Sequence, residues 1–161
     1  MREILDEQFY NFDLSTVQFR GKLAGKNWRR EQSIDWVERT RVFILVMAGV
    51  VLYPVLANHL FYNLFSLDFF IERLVISTVL ILCFLFFRKF SLASMIISLL
   101  PIGLIIINYL VFTPELSFRR LGFNCAIFCL IVWGIYSYFK AIKLSHELVE
   151  EIKNKNPEAV V

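Results

Sequence analysis

The chain has 161 residues, 58% of them hydrophobic, with 17 Phe and a formal net charge of +3. Most of that hydrophobic content lies in four long apolar runs joined by short connections, a pattern that a water-soluble domain of this length does not need. There is no room for a second globular domain. The basic residues gather beside the apolar runs, which fits phospholipid headgroups and not nucleic acid.

The expected fold is an all-α integral membrane protein, a four-transmembrane-helix bundle in three regions. Residues 1–38 form a cytoplasmic N-terminal arm with a juxtamembrane basic and aromatic segment. Residues 39–139 form the transmembrane domain, with helices over about 39–62, 69–87, 92–112 and 122–139. Residues 140–161 form a cytoplasmic C-terminal helix and tail.

Within the arm, residues 1–13 carry one basic and four acidic side chains. Leu5, Phe9 and Phe12 recur at helical spacing and would make a short apolar stripe. From Leu14 to Arg41 the sign reverses, with seven basic residues against three acidic ones. Trp28 and Trp36 sit among the arginines, as expected near a headgroup layer where indole rings and guanidinium groups collect. Gly21 and Gly25 argue against a continuous helix here, and Ser33 is the expected N-cap of the first membrane helix. The first 40 positions are polar and charged, so no cleavable signal peptide is expected.

Pro54 is expected to kink the first membrane helix, whose far end turns polar at Asn58, His59 and Asn63. In the second, only Leu74 to Phe87 is strictly apolar, so Glu72 and Arg73 must lie at one interface. Arg88-Lys89-Phe90-Ser91 makes a tight turn into the third helix. That helix carries a seam of Ser91, Ser94, Ser98, Pro101, Ile105 and Asn108 at alternating +3 and +4 spacing. Small and polar residues on one seam let membrane helices approach closely. The fourth helix carries a second small ridge at Gly122, Ala126 and Gly134, broken by Leu130. Beyond the membrane, Leu144, Leu148 and Ile152 form an apolar stripe suited to cytoplasmic docking.

Fourteen of the 17 Lys and Arg residues flank the side that holds both termini. By the positive-inside rule both termini are therefore cytoplasmic. This orientation collects His59, Glu72, Arg73, Asn108 and Asn124 into one polar layer in the outer leaflet, the candidate site for a lipid headgroup or small polar ligand. The central layer has no ionisable group except thiols, which argues against a self-contained proton or ion pump. His59 and His146 fall on opposite sides and cannot jointly hold a haem. Cys125 and Cys129 lack nearby His or carboxylate partners, and two thiols make half a zinc site. No nucleophile elbow, zinc-protease helix or phosphate loop is present. No catalytic, cofactor-binding or metal site is expected, and no cofactor.

The sequence thus points to a non-catalytic accessory or scaffold subunit whose partners are membrane lipids and another protein or further copies of itself. An alternative is a homo-oligomeric transport or pore-forming subunit lined by the Ser91–Asn108 seam. A third reading is an outer-leaflet lipid-active enzyme using Glu72 and His59. The expected location, from size and from the richness in Phe, Ile, Lys and Asn, is a bacterial inner membrane.

Overall fold

The computed structural model describes residues 21–61, 67–112 and 118–155, with the side chains of 58–61, 67–69, 109, 112, 118–120, 153 and 155 outside that description. The described residues form four α-helices and no strand: α1 (Lys22–Phe61), α2 (Leu67–Phe86), α3 (Ser91–Phe112) and α4 (Phe118–Lys155). Three are long and apolar enough to cross a membrane, over Lys22–Ala57, Ser91–Asn108 and Leu121–Ile152. Only 33%, 33% and 28% of their apolar windows are buried within the chain. A helix in water would hide most of such a surface. Here Leu100, Leu104 and Val111 stand 62–69% exposed along α3, as suits residues that face hydrocarbon.

The first helix departs from expectation. It begins at Lys22, immediately after Gly21, whose φ of 61° is cheap only for glycine. It then runs without interruption through Gly25 and Pro54 for 40 residues, about 60 Å. Ser33 is not a cap but a buried mid-helix residue, its hydroxyl donating to the Arg29 carbonyl at 2.9 Å. The reason is a single buried stripe along the helix: Arg30, Ile34, Val37, Thr40, Ile44, Met47, Val51 and Val55. Packing of that stripe outweighs the ~1 kcal/mol that a mid-helix glycine costs. On α4 a matching stripe runs from Asn124 and Ile127 through Ile131, Ser137, Ala141 and Ser145 to Leu148 and Ile152. This helix begins at Phe118, a turn earlier than its apolar run, and continues to Lys155.

The chain divides into two compact units. One holds the residues up to Glu38 together with those from Gly134 onward; the other is Arg39–Trp133. In the first unit the start of α1 and the end of α4 pair antiparallel. Ile34 packs with Ala141 and Ile142, Arg30 meets Ser145, and Lys26 reaches Glu147 and Glu151. Arg30 is 1% exposed. Its Nε donates to Ser145 Oγ at 2.8 Å and its Nη1 to Glu31 Oε1 at 2.8 Å. Ser145 Oγ in turn donates to the Ala141 carbonyl at 2.9 Å. At the rim, the hydrogen bond to Glu151 raises the Lys26 pKa above its ordinary value. Desolvation opposes this shift, and the charges of Glu151 and Glu147 reinforce it. Such a rim pair adds little stability, being partly exposed to solvent.

In the second unit α1 and α2 are also antiparallel, with a register set by two contacts. Arg41 Nε donates to the Phe84 carbonyl at 3.4 Å while its guanidinium lies 4.3 Å from the Phe84 ring centroid. Two turns further along α1, the Ala48 carbonyl accepts from Ser77 Oγ at 3.3 Å. Arg41 thereby brings a cation to the C-terminal end of α2, which has no basic residue of its own in its last turn. The α2–α3 connection is a tight turn, with Lys89 N and Phe90 N donating to the Phe86 carbonyl at 3.0 and 2.9 Å. The two helices then pack on each other as a hairpin. Gly103 of α3 faces Phe128 of α4, where an added Cβ would meet the ring at 3.9 Å.

A hydrogen bond to a buried guanidinium contributes about 1.5–3 kcal/mol. Ser145→Ala is therefore expected to lower the unfolding free energy of the detergent-solubilised protein by that amount, read by denaturant titration. An unchanged midpoint would mean that Ser145 does not hold Arg30.

Candidate functional site

The residues expected to form an outer polar layer differ in exposure. Glu72 is exposed, Arg73 and Asn108 are half-buried, and Asn124 is 5% exposed on the buried stripe of α4. The His59 side chain, like Asn58 and Asn63, lies outside the described residues. Arg73 already has interaction partners within the chain. Among the described residues no three His, Cys, Asp or Glu side chains converge as a metal site would require. Cys125 is half-buried and Cys129 exposed on α4.

The α3 seam is an internal packing surface. Ser94, Ser98, Pro101 and Ile105 are buried, while Ser91 and Asn108 at its ends are half-buried. One of its hydroxyls serves the backbone: Ser98 Oγ donates to the Met95 carbonyl at 2.8 Å. The neighbouring α2 hydroxyl, Ser77, bonds across to α1. The small ridge of α4 behaves otherwise, with Gly122 and Ala126 exposed, Leu130 half-buried and only Gly134 buried.

The docking stripe expected on the C-terminal helix is taken up by the chain itself. Leu148 is 0% and Ile152 9% exposed, and Leu144 is half-buried. Buried on a helix that pairs with another, the stripe marks an internal contact. On α1 this unit turns an indole outward, while Tyr136 and Phe139 are exposed on α4. Trp28 is 65% exposed, with Gly25 one turn before it and Gln32 one turn after it, both also exposed. A Cβ at Gly25 would meet nothing within 4 Å, so open space lies beside the indole. Lys22 and Arg29 are exposed alongside.

Two features of this arrangement were missed in the sequence. Continuing the apolar stripe of α1 backwards from Val37 and Ile34 in steps of three and four reaches Arg30, so periodicity alone would have found the buried cation. Trp28 falls off that stripe and is outward for the same reason. The chain matches no known protein family, no curated protein and no solved structure. Its function is read from its own residues.

With the seam buried, cysteines introduced as Ser94→Cys and Ser98→Cys are expected to resist a membrane-impermeant maleimide in native membranes. Arg88→Cys, on the exposed turn, should react under the same conditions. Labelling at position 98 comparable to that at position 88 would restore the pore reading.

Proposed function

We propose that this chain is a non-catalytic, four-span membrane protein that acts as an accessory or scaffold subunit, holding a partner protein on its extramembrane helix pair. The observation that carries this reading is the exposed Trp28 beside Gly25, flanked by Lys22 and Arg29, on a unit that has already buried its other apolar stripe. Trp and Arg are among the residue types most enriched in interaction hot spots. Open space over Gly25 admits a close-packed helix, and the two cations favour carboxylates on it. The partner is therefore an acidic amphipathic helix with an apolar side chain seated against Trp28.

Four crossings are supported by the helix contacts. The start of α1 and the end of α4 pair with one another, so they share one side of the membrane and the number of crossings between them is even. With α1, α3 and α4 each crossing once, a fourth crossing is needed. The helix α2 supplies it, at 20 residues or about 30 Å, packed antiparallel along α1 from Arg41 to Ala48. The excess of Lys and Arg on this shared side supports a cytoplasmic location for it, in the inner membrane of a bacterium.

Two measurements test the reading. In a background lacking Cys83, Cys125 and Cys129, cysteines at Gln32 and Asn154 should both react with an impermeant thiol reagent in inverted vesicles and neither in intact cells. Reaction from opposite sides would refute the even number of crossings. The intact assembly, solubilised mildly from native membranes and weighed, should contain a second polypeptide. Trp28→Ala should weaken that association by about 2 kcal/mol, roughly thirtyfold, while Lys140→Ala leaves it unchanged. A bare monomer, or a closed ring of identical copies, would overturn the accessory-subunit reading.

A further inference from the structure

The unit formed by Arg39–Trp133 is strongly asymmetric in charge. Its sequence holds only three carboxylates, Asp68, Glu72 and Glu115, and of these Asp68 and Glu72 lie at the start of α2, the opposite end of that helix from the α2–α3 turn. At the turn itself, Arg88 and Lys89 are both exposed. One helical turn earlier, Arg41 of α1 sits on Phe84. Three cations thus share one end of the unit.

The turn that carries two of them is fixed. Phe87 is 2% exposed, and the backbone bonds from Lys89 and Phe90 to the Phe86 carbonyl close the turn. The Lys89 ammonium lies 5.5 Å from the Phe90 ring centroid. Directly after the turn α3 begins at Ser91, and its first turn contains no acidic residue, so its free N–H groups add partial positive charge at the same place. On the membrane side, Leu82, Leu85 and Phe86 of α2 are 46%, 60% and 55% exposed.

Cations and helix N–H groups at one level, with an exposed apolar surface immediately beneath, match a molecule that is anionic at its head and hydrocarbon below. We propose that the α2–α3 turn is a binding site for an anionic phospholipid. The headgroup phosphate pairs with Arg88 and Lys89, and the acyl chains lie against Leu82, Leu85 and Phe86. This site rests on the membrane-spanning reading above, but not on the protein partner of Trp28. It assigns to the turn a role in selecting lipid, beyond orienting the helices.

The test uses the full-length protein in an uncharged detergent, titrated with dioleoyl phosphatidylglycerol or dioleoyl phosphatidylcholine and read by native mass spectrometry. Phosphatidylglycerol is expected to bind more tightly. Each cation near a membrane surface contributes about a fivefold factor in affinity. The double variant Arg88→Gln/Lys89→Gln should therefore lose ~25-fold, while the charge-preserving Arg88→Lys/Lys89→Arg pair retains binding and reports that the turn still folds. Equal binding of the two lipids, or undiminished phosphatidylglycerol binding by the glutamine variant, would overturn the site. Displacement of the lipid by millimolar inorganic phosphate would also overturn it, since the site would then take the free anion. Release of the protein from membranes by alkaline carbonate would instead bring down the membrane-spanning reading, an outcome distinct from an integral protein without lipid preference.

Discussion

A guanidinium group shut away from water must find its hydrogen-bond partners within the protein, and Arg30 finds them in Ser145 and Glu31. Its contact with Ser145 fixes the start of α1 against the end of α4. Ile34 on Ala141 continues the same antiparallel register, and Lys26 between Glu147 and Glu151 closes it at the rim. A purely apolar pair of helices can slide by a turn with modest loss. Here sliding would also cost the buried Arg30 its hydrogen bond to Ser145, while Glu31, its neighbour on α1, would move with it.

Much of the topology depends on that pairing. It brings the start of α1 and the end of α4 together, the observation on which the proposed even number of crossings rests. In the proposed topology the shorter helix α2 is the remaining crossing. Its own contacts agree: Arg41 at one level and Ser77 at another hold it antiparallel beside α1. The hydroxyls of Ser77, Thr78 and Ser98 donate to backbone carbonyls. This is what a medium without water demands.

The same economy separates interior from interaction surface. Seams that look inviting as strings of residues are occupied internally: the serines of α3 in the Arg39–Trp133 unit, and Leu148 and Ile152 in the helix pair. Two outward features are chemically distinctive: an indole beside a glycine on the helix pair, and a fixed basic turn next to exposed leucines in the other unit. Both are proposed as binding surfaces.

The sequence by itself determined the helical class, the positions of the apolar runs to within a turn or so, the turn at Arg88–Ser91 and the basic asymmetry. These depend on local properties: length against bilayer thickness, uninterrupted hydropathy, and charges excluded from hydrocarbon. It also marked the α3 seam and the Leu144–Ile152 stripe as apolar or small faces, but not what covers them. A periodic stripe states that something packs there, and only the tertiary structure decides whether that is a partner or the chain's own second helix. Gly25 and Ser33 show the limit from the other side. Their local preferences point to a break and a cap, and packing of Arg30, Ile34 and Val37 overrides both. The pairing of Arg30 with Ser145 spans 115 positions. No window of local sequence contains it, because it exists only once two distant helices have come together.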